Sequence, residues 1–295
     1  MSPRSPLPAT ELSAPAATLA VENDITIELK GREPVSARTY GACGVKAQRG
    51  VIAETPLVLH FHGGNFVCGG LESGRTVARM LADAGAVVVS MAYPLAPLHP
   101  FPDAIEVGYE ALEWLYKHRV KLAGKGARIY LAGEEAGGNV AAALTLIARD
   151  RAHPPLAGQI LLSPMLDPCV GTASLREATD GDPQCKYYEG WQKYLRSLRD
   201  AEHPYAVPAA AHRLAHLAPT LVLSGKEDPM RDEAMTFAGR LREAGIAVTS
   251  HVLASAENWP DALSEPVEGG CGACAVLVTK HFREFFEATP STAVP

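Results

Sequence analysis

Three carboxylates, Glu135, Asp228 and Glu257, stand in surroundings suited to chemistry. Glu135 is the centre of Gly133-Glu134-Glu135-Ala136-Gly137. The apolar run 129–132 precedes it, and Val140, Ala141, Ala142 and Leu144 follow. A buried strand that passes through a glycine-rich turn into a helix is the G-x-S-x-G setting, which lifts a nucleophilic serine out of a sheet. Here the tip carries a glutamate. A carboxylate can take a proton, return it, or attack as a nucleophile, and its neighbours decide which.

The elements that must position these groups alternate regularly from residue 56 onward. Strands are predicted over 56–63, 85–93, 127–133, 158–166, 219–225 and 247–253, with an antiparallel edge pair at 25–29 and 35–41. Several of these runs are almost wholly apolar, as strands covered on both faces are. Between them, Ile105, Tyr109, Leu112 and Tyr116 recur at helical spacing behind Pro102. Residues 232–244 read as a helix closed by Gly245, and Val278, Phe282 and Phe285 stripe a last helix. This alternation predicts an α/β fold with a mostly parallel sheet and helices on both faces.

One stretch breaks the rhythm. Residues 168–208 are polar and rich in Pro and Gly, with Tyr187, Tyr188, Trp191 and Tyr194 clustered among them. A long insertion over strand ends commonly walls a site. The expected organisation is a loosely ordered arm or reduced cap (1–22), a core (23–167 and 209–287), a lid (168–208) and a tail (288–295).

Four motifs in order carry a family resemblance. "HFHGGNFVCGG" (60–70) is similar to an H-G-G-G loop, and "YPLAPLHPFPDAI" (93–105) to a Y-R-L-A-P-E-H-P-F-P signature. "DPMRDE" (228–233) resembles a D-P-L-R-D-E segment, and the Gly133–Gly137 turn is the fourth match. Together they resemble the hormone-sensitive-lipase-like esterase branch of the α/β-hydrolase fold, over residues 23–287.

That resemblance implies roles position by position. The backbone N–H groups of Gly63, Gly64 and Ala136 would form an oxyanion hole, with Asn65 where a third glycine is usual. Asp228 matches the acid that orients a histidine. Glu135 stands at the nucleophile, and Glu257 falls where the histidine is expected, so Ser–His–Asp reads as Glu135–Glu257–Asp228. Serine chemistry needs a hydroxyl, a base and an orienting acid, and two of the three are missing. Ser163, Ser224 and Ser255 lack an elbow, and His251 and His281 fall on a strand and a helix.

Three like charges in one cleft cannot all ionise cheaply, so one would hold a proton. That would place a general acid and a general base together, suited to elimination, isomerisation or cyclisation of a small carbonyl-bearing molecule. Alternatively, Glu135 folds back onto the oxyanion donors and plugs the site. The chain would then be a non-catalytic binder, as some members of this family are. Residual ester hydrolysis is the third reading. Asn65, Tyr188 and Trp191 are candidate substrate contacts. Glu134 and His62 are expected to brace loops, with His60 packed and His99 structural.

Composition sets the outer limits. A formal net charge of −6, without a basic tract, argues against nucleic acid as a partner. No apolar run is long enough to span a membrane, and a cytoplasmic address is the default expectation. The six cysteines follow no disulfide framework, and the pair Cys271 and Cys274 lacks the second pair a structural zinc site needs. No metal or cofactor is expected. A small-molecule ligand is, and by family analogy a homodimer is possible.

Overall fold

The computed structural model describes residues 22–41, 54–169, 171–180, 185–254, 259, 263 and 272–289. One eight-stranded sheet runs through it. Its strands are β1 (Asn23–Ile27), β2 (Val35–Tyr40), β3 (Pro56–Phe61), β4 (Val87–Met91), β5 (Arg128–Glu134), β6 (Gly158–Leu162), β7 (Thr220–Gly225) and β8 (Val248–Leu253). The spatial order is β1-β2-β4-β3-β5-β6-β7-β8. β1 and β2 pair antiparallel, as does β2 with β4, and every pairing from β4 to β8 is parallel. The predicted edge pair and parallel core are therefore both present.

Parallel strands need crossovers, and the helices supply them: α1 (Arg75–Asp83), α2 (Asp103–Ala123), α3 (Ala136–Asp150), α6 (Arg231–Glu243) and α7 (Gly272–Ala288). Two further helices, α4 (Ala173–Ala178) and α5 (Lys186–Tyr194), lie in the segment expected to be a lid. The core forms two layers. On one face Leu57, Leu59 and Leu131 pack with Val140, Leu144 and Leu112 of α3 and α2. On the other, Val58, Tyr130 and Ile160 pack with Leu81 of α1 and Phe282 of α7. Successive strand residues alternate between these layers, so strands buried on both faces must be apolar at almost every position.

β3 and β4 are shorter than the sequence reading, ending at Phe61 and spanning Val87–Met91, and β1 and β6 differ for identifiable reasons. β1 lies at Asn23–Ile27 rather than 25–29, because the ladder runs from Asn23 opposite Thr39 to Ile27 opposite Val35. The Ile25, Ile27, Leu29 alternation fits either register equally well. β6 ends at Leu162 instead of continuing to 166, since Ser163 takes φ 43° and Pro164 follows. Among the described residues no helix is long and apolar enough to cross a membrane.

Candidate active site

The site begins at the turn from β5 into α3. Glu135 adopts φ 48° and ψ −117°, a backbone conformation that costs a side-chain-bearing residue about 1–3 kcal/mol. The surroundings enforce it. The Glu135 N–H donates to Leu162 O at 3.0 Å, and the Met165 N–H donates to Glu135 O at 3.0 Å, tying the turn to the end of β6. A Cβ on Gly133 would lie 2.2 Å from Gly137 O, and one on Gly137 would lie 2.1 Å from Phe61 O. Only glycine lets strand, turn and loop approach this closely.

The β3–α1 loop faces this turn, and two neighbouring carboxylates hold two successive backbone donors. The Gly63 N–H donates to Glu134 Oε1 at 3.2 Å, and the Gly64 N–H donates to Glu135 Oε2 at 2.9 Å. Gly63, expected as an oxyanion donor, is thus turned to Glu134 instead. Ala136 opens α3, so its N–H is one of the first-turn donors that have no acceptor within the helix. Glu135 itself is only 3% exposed. Its carboxylate folds back onto Gly64, one of the three donors of the plugged alternative, while Gly63 goes to Glu134.

Behind the plug is a fully buried chain of polar groups. His60 Nε2 meets Glu134 Oε2 at 2.7 Å, and His60 Nδ1 meets Ser90 Oγ at 2.9 Å. With Nε2–H donating to the carboxylate, Nδ1 accepts from the serine hydroxyl. His62 Nδ1 lies 2.7 Å from Gly63 O and its ring stacks on Tyr93, whose hydroxyl donates to His62 O. Burial holds the His62 imidazole below its ordinary pKa and so keeps it neutral. Glu134 and His62 therefore brace the loop, and His60 is packed, as expected. His99 contacts Asp103 at the surface.

The lid-segment aromatics serve that loop as well. Trp191 is buried against Phe66, with ring centroids 4.9 Å apart, and Tyr194 stacks on Phe66 at 4.1 Å. Gly190 of α5 lies directly against the Asn65 backbone. Asn65 is mostly buried with φ 53°, and its Oδ1 has no hydrogen-bond partner. Tyr188 is half-buried and its hydroxyl accepts from Gln192. Of the three candidate substrate contacts, Trp191 packs into the base of the loop and Asn65 keeps an unspent acceptor beside Gly64.

Asp228 lies in a different environment from the one expected. It is wholly buried, Ser163 Oγ donates to its Oδ2 at 2.5 Å, and the Met230 N–H donates to its Oδ1 at 2.8 Å. Burial pushes its pKa up from 3.8 to about 6, against the lowering pull of these donors. Desolvation is therefore the leading cause of the shift among the described residues. Nearby Glu233, also buried, accepts from the Asp167 N–H at 2.8 Å, and burial pushes its carboxyl well up. Trp259 Nε1 donates to Ser163 Oγ, a contact that no sequence motif announces. Glu257 and Ser255 lie outside the described residues, as do Cys271 and the Cys274 side chain. His251 and His281 stack on each other, ring centroids 4.0 Å apart.

Among the described residues no group of three His, Cys, Asp or Glu side chains could hold a metal ion. A surface cleft of about 470 Å³, lined in part by Arg32, Phe101, Tyr109, Arg151 and His203, shares no lining residue with the carboxylates above. Its arginines are already engaged, Arg32 with Glu106 and Glu110 and Arg151 over the Tyr109 ring.

A strained strand-to-helix turn faced by a glycine loop, on an eight-stranded mostly parallel sheet, has a counterpart among known proteins. A family profile described as alpha/beta hydrolase fold (Abhydrolase_3) matches residues 58–257. The chain belongs to the α/β-hydrolase family. It is 36% identical to esterase LipI of Mycobacterium tuberculosis over 203 residues, covering 68% of this chain and 63% of that protein. It is also 34% identical to carboxylesterase NlhH of that species, covering 65% of this chain and 62% of that protein. The chain thus spans just under two thirds of the length of these relatives. A thermostable esterase from Pseudomonas putida ECU1011 superposes with a TM-score of 0.77 at 27% identity, over 92% of this α/β-hydrolase chain and 84% of that one.

Proposed function

We propose that this α/β-hydrolase binds small carboxylic esters and hydrolyses them slowly, with Glu135 as a general base in place of a serine nucleophile. The observation that carries the reading is the Glu135 carboxylate held 2.9 Å from the Gly64 N–H at a strained turn tip. An ester carbonyl oxygen takes the Gly64 donor, with the Ala136 N–H beside it, and frees the carboxylate. Water then attacks the carbonyl carbon while Glu135 accepts its proton. Negative charge gathers on the carbonyl oxygen, opposite the backbone donors. The intermediate collapses, the carbon–oxygen bond to the alcohol breaks, and the proton on Glu135 goes to the leaving oxygen. An acid and an alcohol are released, and neither a serine nor a histidine is consumed.

The esterase names of the relatives weigh toward hydrolysis over elimination, isomerisation or cyclisation. That Glu135 stands where a serine is expected belongs to this same proposal, and the scheme asks no step of Glu257 or Asp228. A second reading is favoured by the plug itself. A carboxylate that occupies its own oxyanion donor opposes turnover, and a protein of that kind would bind its ligand unchanged.

Turnover of p-nitrophenyl butyrate by the parent and by Glu135→Gln tests the choice. Loss of a general base costs roughly 10²-fold or more, so turnover should fall by that factor in the glutamine variant. Equal rates in the two proteins would refute the base role. A silent parent that binds ethyl butyrate calorimetrically would establish the binder.

A further inference from the structure

The loop after β8 must bring some residue to Asp228, and the resemblance points to position 257. Position 257 lies outside the described residues, whereas Trp259 is described and its contacts lead to Asp228. We infer that Trp259 is the residue this loop seats on the acid, acting through Ser163, and that it seals Asp228 from the site.

The contacts form an ordered chain. The Trp259 indole N–H donates to Ser163 Oγ, and the Ser163 hydroxyl donates to Asp228 Oδ2 at 2.5 Å. The Met230 N–H occupies the other carboxylate oxygen at 2.8 Å. All four partners are buried, with Trp259 6% exposed. A serine hydroxyl has one proton to give and lone pairs to receive, so it can stand between a donor-only indole and an acceptor carboxylate. Each group is then satisfied without an imidazole, which buried polar atoms require.

Packing fixes the indole where the hydrogen bonds need it. A Cβ on Gly225, the last residue of β7, would lie 2.9 Å from Trp259 Cβ and 3.0 Å from its Cγ. The side chain thus rests on bare backbone three residues before Asp228. Ser163 reaches it from the turn after β6, where φ 43° redirects the chain. Three separate segments meet at this one cluster, and all come from the C-terminal ends of adjacent strands. Trp259 is accordingly a positioning residue: it acts on Asp228 through Ser163 and touches no reacting group. Asp228 is thereby removed from the orienting role that the resemblance assigned to it.

Two measurements on the full chain test this independently of any role for Glu135. In ¹⁵N–¹H spectra assigned with Trp259→Phe, the Trp259 indole N–H should exchange slowly in the parent. It should lose about tenfold or more of its protection in Ser163→Ala, while the other indoles are unchanged. In a Glu135→Ser background, Trp259→His should hydrolyse p-nitrophenyl butyrate at least about tenfold faster than Glu257→His, because it approaches Asp228 from the occupied side. Fast exchange of the parent indole, or equal or reversed rates for the two histidine variants, would overturn the inference.

Discussion

The two halves of the site are constrained in different ways. Around β3 and β5 the backbone forms a strained strand-to-helix turn with Glu135 at its tip. Around β6 and β7 the buried carboxylate of Asp228 is held by Ser163 and the Met230 N–H, with Trp259 donating to Ser163. The first half is constrained by backbone contact. Gly133 and Gly137 touch the turn and the β3 carbonyls so closely that no side chain fits, whereas the side chain at the tip meets no such limit. The second half is constrained by charge. A buried carboxylate must be satisfied, and any donor of suitable reach will serve.

The comparison is broken most forcefully at the buried pair beside the elbow. His60→Leu leaves the Glu134 carboxylate with a single backbone donor at full burial. Leaving a buried charged group short of a hydrogen-bond donor costs about 3 kcal/mol or more, and urea unfolding at neutral pH should show a loss of that order. A loss below 1 kcal/mol would mean that the loop is held by packing alone.

On the acid side the effect should depend on pH. Asp228 has its pKa raised from 3.8 to about 6, so the folded chain binds this proton more tightly than the unfolded chain. The stability it contributes is complete below pH 3.8 and declines as the pH rises through about 6. The shift corresponds to about 3 kcal/mol across that window. Asp228→Asn should flatten this part of the stability–pH curve; an unchanged slope between pH 4 and 7 would show that Asp228 is not the titrating group.

The smallest expected effect sharpens the contrast between geometry and chemistry at the tip. Glu135→Gly relieves the strain at φ 48°, offset by the entropy of a freer unfolded chain. The net gain should be about 1 kcal/mol, read from the denaturation midpoint, while ester turnover disappears. A destabilised glycine variant would mean that the carboxylate's bond to Gly64 outweighs the strain it imposes.

Much of the site's frame was legible before the fold was known. Gly133, Gly137 and the apolar runs around them specify a strand–turn–helix, because only those residues permit that close approach. The length of the Glu135 side chain anticipated its return to the backbone donors. Which donor it would reach was not legible: Gly63 and Gly64 are adjacent in sequence, and only the relative placement of β3 and β5 assigns one to Glu134 and the other to Glu135. Trp191 was equally ambiguous, since an aromatic in an insertion can face a ligand or Phe66.

The sequence by itself determined the α/β architecture, the elbow and the unusual residue at its tip. Each of these follows from local periodicity, from glycine's lack of a Cβ, or from residue identity. The tertiary structure alone decided that Ser163 stands between the Trp259 indole and the Asp228 carboxylate. Ser163 is 65 positions from Asp228 and 96 from Trp259 in the sequence. Hydrogen bonds of that kind depend on which strand ends lie side by side, and no local pattern in the chain encodes that.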